Sequence, residues 1–358
     1  DAAAIAQTGR IYLQVGFNEL FALGQSAWCG AEYVPADTVA KTVDDSIQIV
    51  DNLGRVMLSA KPDKKKTSGS KMKQIVSIVS YLSELAREEN ISPRSLWLPP
   101  IPEKIYVDAL EQKYGIRGGG MELRPVVGEY DDPFNQRQNV LTVPFTAEGN
   151  CLVYGAAGNG KATFLTTMCY SLLKNHSAKE LNLYALDFGS ETLRVFEKAP
   201  QVGGVVVSSE QERLVNLFKM LQDELELRKR LFSEFGGDHA SYCRTSGSTV
   251  PNIVVVINNM AGLAESNEEL LEPLTLLTRE GTKYGIYFVV TASGVNDVRY
   301  RIQQNFKNVL TMQLNDPLDY PVVVGKTDGL IPTKCKGRGL AALDRVYEFQ
   351  TAYCTDAA

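Results

Sequence analysis

The residues best suited to chemistry lie in one short run, where Cys151-Leu-Val-Tyr154 leads into Gly155-Ala-Ala-Gly-Asn-Gly-Lys161. The spacing G-x-x-x-x-G-K, between an apolar strand and an amphipathic helix, lets successive backbone N–H groups turn inward around phosphate oxygens. A helix N-terminus adds positive potential, and the lysine of such a loop reaches the outer phosphates. The residues expected to hold a nucleotide, ATP above all, are therefore Gly155, Ala156, Ala157, Gly158, Asn159, Gly160 and Lys161, followed by Ala162 and Thr163. A glycine-rich turn with an incidental lysine is the plainer alternative, and the strand and helix patterns on either side weigh against it.

The residue after the lysine bears on the chemistry as much as the loop does. A magnesium-binding loop places Ser or Thr there, and Ala162 has no oxygen to offer a hard cation. Thr163 is one helical position further on, about 100° around the axis, and cannot substitute without distortion. The apolar strand Ile253-Val-Val-Val-Ile257 has the form that ordinarily ends in Asp, often followed by Glu, to hold the metal's water shell and polarise an attacking water. Here it ends in Asn258-Asn259, whose amides carry no charge. The expectation is ATP held weakly or with little hydrolysis, poorly held Mg²⁺, no protein metal site and no assured catalytic residue. Asp187 ends another strand beside the site, with a turn cap as an equal reading. Thr291 and Ser293 stand where a γ-phosphate sensor would. Arg279, Arg299 and Arg301 are candidates for a finger acting in a neighbouring subunit, against the plainer reading of solvated helix charges.

The elements that must position these groups alternate. The patterning predicts strands at 140–145, 151–155, 181–187, 203–207, 252–257, 286–291 and 309–314, and helices at 161–174, 209–235, 268–282 and 297–305. Continuous apolar strands suit a sheet covered on both faces, which makes the fold class α/β, a mainly parallel doubly wound sheet of the P-loop NTPase kind. Leu214–Phe235 reads as a helix packed on that sheet, without a cofactor.

Upstream the pattern changes. Residues 9–29 read as two strands around a turn at Gly16-Phe-Asn18, and the C-terminus repeats their signature: Gly9-Arg10 matches Gly337-Arg338, and Gln25-Ser-Ala-Trp-Cys29 matches Gln350-Thr-Ala-Tyr-Cys354. The near-equal separations suggest a repeat whose period is a whole module, although two hairpins can resemble each other by chance. The expected organisation is residues 1–59 as the last strands of a preceding module, 60–102 as a linker, and 103–358 as the P-loop module. Within the linker, 60–70 is polar and breaker-rich, a helix spans about 71–89 with Ile75, Ile78, Val79, Leu82 and Leu85 on one face, and Trp97-Leu-Pro-Pro-Ile-Pro102 forms an extended strap.

Composition narrows the classes further. A chain of 358 residues, 44% hydrophobic and 22% charged, can bury a full core. Its net charge of −5 argues against general nucleic-acid binding. Six scattered cysteines without a C-x-x-C pair, beside two histidines, argue against zinc and read as free thiols. No apolar run is long enough to span a bilayer, which leaves open a soluble piece of a membrane-anchored protein.

Val127-Gly-Glu-Tyr-Asp-Asp-Pro133, the P-loop, Leu183-Tyr-Ala-Leu-Asp-Phe188, Pro200-Gln-Val-Gly-Gly-Val205 and Leu314-Asn-Asp-Pro-Leu-Asp-Tyr320 occur in this order, with Gln25-Ser-Ala-Trp28 and Trp97-Leu-Pro-Pro100 before them. Together they resemble the FtsK/SpoIIIE-type ATPases of type VII secretion, the EssC/EccC proteins, over nearly the whole chain. The resemblance implies tandem ATPase modules on the cytoplasmic side of the cell membrane in a membrane-anchored protein. This chain would surround the second module in preference to the third. The implied partners are neighbouring modules of the same polypeptide, small WXG-type export substrates and further copies of the chain in a homo-hexamer. The family's metal ligands do not carry over to Ala162 or Asn258. A degenerate module that regulates the motor or recognises substrate fits these departures; an active DNA-translocating motor of the wider FtsK group is the alternative.

Overall fold

The computed structural model describes residues 5–16, 20–28, 30–33, 48–59, 72–91 and 98–355. They fall into two units, Asp1–Ser95 and Leu96–Ala358. The first contains the antiparallel hairpin β1 (Arg10–Val15) and β2 (Leu20–Gln25), a second hairpin of β3 (Gln48–Val50) and β4 (Val56–Ser59), and helix α1 (Gln74–Glu88). The apolar face expected on α1 is present but exposed along its length, and Ile11, Leu13, Phe21 and Leu23 of the first hairpin are also exposed. The expected linker 60–70 lies outside the described residues, as does Trp97 of the expected strap.

The second unit runs α2 (Val107–Tyr114), β5 (Val126–Asp132), β6 (Arg137–Thr142), α3 (Phe145–Glu148), β7 (Asn150–Tyr154), α4 (Lys161–Asn175), β8 (Leu181–Asp187), β9 (Val202–Val207), α5 (Gln211–Phe232), α6 (His239–Thr245), β10 (Asn252–Asn258), α7 (Met260–Ser266), α8 (Leu271–Glu280), β11 (Ile286–Ala292), α9 (Tyr300–Gln303), β12 (Phe306–Met312), α10 (Tyr320–Val324), β13 (Arg338–Ala342) and β14 (Val346–Thr351). Ten strands form one sheet in the order β6-β5-β14-β13-β12-β7-β11-β10-β8-β9. The block from β12 to β9 is parallel, and β13, β14, β5 and β6 extend it antiparallel beyond β12. No helix among the described residues is long and apolar enough to cross a membrane.

The strand patterns explain why both faces are covered. Successive side chains of a strand point to opposite faces, so an unbroken apolar strand must feed two cores. In β10, Ile253, Val255 and Ile257 join one core while Val254 and Val256 join the other; in β11, Phe288 and Val290 oppose Tyr287 and Val289 in the same way. The first core is roofed by Leu214, Phe218, Leu221 and Leu225 of α5 and by Leu274 and Leu277 of α8. The second is roofed by Phe164, Leu165, Met168 and Leu172 of α4. Arg228 is the charged exception on α5: it is buried, pairs with Glu224 at 2.7 Å and donates to the carbonyls of Tyr284 and Pro251, each at 2.8 Å. It thereby ties the helix to the chain entering β10 and β11.

Two departures from the predicted elements have local causes. The strand expected at 140–145 is β6 over 137–142, because Pro144 has no N–H for a ladder and opens the helical turn α3 instead. The helix expected over 268–282 is α8 flanked by 3-10 turns at Glu268–Leu270 and Gly281–Tyr284. Of the expected strap, Pro99 and Ile101 offer their carbonyls to Gln138 at 2.7 Å and Arg338 at 2.8 Å.

The hairpins β1–β2 and β13–β14 agree at their open ends. Arg10 pairs with Gln25 as Arg338 pairs with Gln350. Gly9 and Gly337 both have φ +80°, a left-handed conformation that disfavours residues with a Cβ. The Gln25 amide donates to the Thr8 and Ser26 carbonyls at 3.1 and 3.4 Å, and that of Gln350 to the Lys336 and Thr351 carbonyls at 3.1 and 3.4 Å.

Both histidines are buried, with His176 Nδ1 on the Gly120 carbonyl and His239 Nε2 on that of Val250, and burial holds both pKa values below the ordinary one. The unfolded chain therefore takes up these protons at a higher pH than the folded chain, so stability is full above the ordinary histidine pKa and falls as pH drops through it. Denaturant melts should show a loss between about pH 7.5 and 5.5 of at most about 1.4 kcal/mol per pH unit for each histidine. His239→Gln, which retains a donor for Val250, should reduce that slope.

Candidate nucleotide site

Strand β7 delivers Gly155 to the C-terminal edge of the parallel block, and α4 leaves from Lys161, so the loop between them is framed by β11 and β12. The loop is held from outside by its neighbours. Gly155 N donates to the Ala292 carbonyl at 3.0 Å, while Ala156 N and the Asn159 side chain donate to the Gln313 carbonyl at 2.8 and 3.1 Å. The Gln313 amide in turn donates to the carbonyls of Thr333 and Cys335, at 2.8 and 2.9 Å. Gly337 N reaches the Asn159 carbonyl at 3.2 Å, and a Cβ on Gly160 (φ +109°) would stand 2.9 Å from the Gly337 Cα. Glycine is required at 160 by both conformation and space.

Lys161 folds back over this loop. Its Nζ donates to the carbonyls of Gly155 and Ala156, with Ser293 Oγ at 3.5 Å. Burial lowers the Lys161 pKa, and the charge of Asp297 acts in the opposite direction. Ala162 and Thr163 form the rest of the first turn of α4, both half-buried.

Asn258 and Asn259, at the end of β10, take part in a hydrogen-bond chain that joins three strand ends. Asn258 is buried, donates from Nδ2 to Asp187 Oδ1 at 2.8 Å, and accepts from the Thr291 hydroxyl at 3.1 Å. Thr291 Oγ1 also accepts from Asn259 N at 2.9 Å, and Asn259 donates its amide to the Phe188 carbonyl at 3.2 Å. Asp187 accepts further from Gly189 N at 3.1 Å and Leu193 N at 3.2 Å, so it caps the turn after β8 while it holds Asn258. Asp187, Asn258, Asn259 and Thr291 thus stand together at the ends of three adjacent strands, with Ser293 near Lys161. The three arginines are exposed; Arg279 pairs with Glu280 and Arg299 with Glu268. Gln313 and Gly337 are structural partners of the loop that the sequence reading did not single out. Gly337 had a signal, in its match to Gly9, whereas Gln313 had none.

A loop of this form, set in a sheet of order β12-β7-β11-β10-β8 and followed by α4, defines a P-loop NTPase. Residues 123–327 match the FtsK/SpoIIIE family, and the chain belongs to it. It is 30% identical over 330 residues to the ESX secretion system protein EccC of Geobacillus thermodenitrificans, covering 91% of this chain and 22% of that protein. It is 28% identical over 339 residues to the type VII secretion system protein EssC of Staphylococcus aureus, covering 91% and 23%. Among solved structures it resembles ATPases 2 and 3 of Thermomonospora curvata EccC in complex with a signal sequence peptide, with TM-score 0.64 and 27% identity over 73% of this chain and 50% of that one. The chain spans less than a quarter of the length of either relative.

The Asn258–Asp187 contact makes a direct prediction. In buffer free of divalent cations, Asn258→Asp would set two buried carboxylates about 2.8 Å apart. At neutral pH this variant should lose about 3 kcal/mol in urea unfolding. Crowding raises one carboxyl's folded pKa, so the folded form then binds the extra proton first, and the deficit should shrink as pH falls toward about 4.5.

Proposed function

We propose that residues 103–358 form a nucleotide-binding module with little or no hydrolysis of its own, working inside a type VII secretion motor alongside further modules of the same polypeptide. The observation that carries this is the Asp187–Asn258–Thr291 chain. The position that would hold a metal's water shell is a neutral amide engaged on one side by Asp187 and on the other by Thr291, and the Ala162 side chain beside Lys161 offers no oxygen. The one carboxylate of the set, Asp187, is already engaged by Asn258 and by the N–H groups of Gly189 and Leu193, so the set fits poorly to Mg²⁺, a hard cation that favours free carboxylate oxygens. A phosphate cradle without a held metal binds an anion but does little to activate water.

The agreement of hairpin β1–β2 with β13–β14 supports reading residues 1–59 as the end of a preceding module, with 60–102 as the connection. In the second unit this hairpin is buried in the sheet between β12 and β5; in the first the same bonding pattern leaves its apolar side chains exposed. The names of the relatives support the secretion role, and the likeness to a cytoplasmic domain of T. curvata EccC supports a place on the cytoplasmic side; membrane anchoring of the parent protein is part of the proposal. Substrate recognition is part of the proposal, with WXG-type exported proteins as the class. A groove of about 560 Å³ lies between Phe134, Val324, Leu330, Leu343 and Tyr347, rimmed by charges of both signs, among them Asp344, Glu348, Lys326 and Arg345, and suits a helical segment with an apolar face. The T. curvata structure with its signal peptide motivates that assignment.

Isothermal titration with ATP in magnesium buffer, beside a phosphate-release assay, tests the proposal. Binding should be measurable and should disappear in Lys161→Ala, while phosphate release stays close to that of buffer. Rapid turnover that Lys161→Ala abolishes would show an active ATPase and sink the regulatory reading.

A further inference from the structure

Directly after β11 the chain makes a turn whose chemistry concerns the far end of the phosphate site. The consecutive N–H groups of Ser293 and Gly294 both point at one atom, Asp297 Oδ2, at 2.7 and 2.9 Å. Successive N–H groups converging on one point form an anion-binding concavity. Here the anion is supplied by the chain itself.

That carboxylate stands beside the lysine of the loop. Ser293 bridges them, its N–H on Asp297 and its Oγ 3.5 Å from Lys161 Nζ. The charge of Asp297 acts on Lys161 and also on Tyr154 at the end of β7, whose buried hydroxyl has no hydrogen-bond partner and whose pKa is pushed up to about 12, by burial first and by Asp297 second. Asp297 is thus linked to the loop lysine through a single residue, Ser293. Among the described residues no Lys, Arg or His pairs with it within 4.0 Å.

We propose that Asp297 makes this phosphate site prefer a nucleoside diphosphate to the corresponding triphosphate. The inference rests on the nucleotide-binding reading above and names the ligand class of that site. A P-loop cradles the inner phosphates with its backbone, and its lysine serves the outer ones, so a third phosphate extends toward the residues that follow β11. In this chain that region already holds a negative charge, and the N–H pair that could receive a phosphate is occupied by it. In a loop with intact metal ligands a fixed dication would offset the added charge; Ala162 and the engaged Asn258 provide no such fixture. The diphosphate keeps Lys161 and the loop N–H groups and avoids the carboxylate. Capping of the turn at Val295–Asp297 accounts for the two hydrogen bonds, but capping alone carries no preference between nucleotides.

The test is a titration of the whole chain with ADP and with ATP in one magnesium-containing buffer. The wild-type protein should hold ADP about tenfold more tightly than ATP, the order expected when one added charge sits several ångströms from a carboxylate at a protein-like dielectric. Asp297→Asn retains an oxygen for both N–H groups and should tighten ATP about tenfold while leaving ADP within about twofold. Asp297→Ser, which removes the charge with a different side chain, should change the ratio in the same direction. Added salt should narrow the wild-type gap, because Asp297 is only half-buried. Equal affinities in the wild-type protein, or equal changes for both nucleotides in the two variants, overturn the inference and leave nucleotide binding intact. If neither nucleotide binds the wild-type protein or either variant, the nucleotide-binding reading itself falls, and the preference with it.

Discussion

A loop that turns its N–H groups toward an anion cannot satisfy its remaining backbone groups alone, and that constraint organises the structure around residues 155–161. Buried polar backbone needs partners. The partners come from both flanks: Ala292 from β11, Gln313 just beyond β12, and Gly337 at the entrance to β13. Each is placed by a strand, so the shape of the cradle depends on the register of the parallel block and on the antiparallel strands that continue it. The antiparallel extension is therefore part of the site, since through Gly337 it supports the loop at Asn159 and Gly160.

The second feature is how a neutral amide, Asn258, is held buried at the end of β10 beside a carboxylate. Replacing one buried charged group by a neutral one leaves its neighbours unsatisfied unless they also find partners. Here the neighbours complete the set. Asp187 supplies the acceptor for Asn258 Nδ2, Thr291 supplies the donor for Oδ1, and the same threonine oxygen receives the next backbone N–H. The arrangement closes on itself within the ends of three strands. In consequence Asp187 carries both readings its position allowed, as a turn cap and as a partner in the site.

Much of this was legible from residue types. The apolar runs at 253–257 and 286–290 required a sheet covered on both faces, and the glycine spacing before Lys161 required a strand and a helix on either side of it. The residue types at Ala162 and Asn258 were visible directly, and the structure adds the partners of Asn258. Contacts that depend on where distant segments meet were not legible. Gln313 is an unremarked residue after a strand until β12 comes beside β7, and Asp297 reads as an ordinary helix-start residue until its turn comes beside Lys161. Short helices such as α2, α6 and α10 were missed because their few residues form too little of a periodic pattern to stand out. The ends of longer helices were misjudged where 3-10 turns took over, as around α8.

The pairing of β14 with β5 has a consequence for how such a module is made. Thr351 lies opposite Gly128, so the final strand sits between the first strand of the sheet and the rest of it. During synthesis the N-terminal hairpin β5–β6 must wait, with the edge it will share left open, until more than two hundred residues have followed it out of the ribosome. Folding of the complete sheet is thus a late event, set by the arrival of its last strand. In a polypeptide of several such modules, each would leave an unfilled slot in its sheet until the hairpin that closes it had been translated.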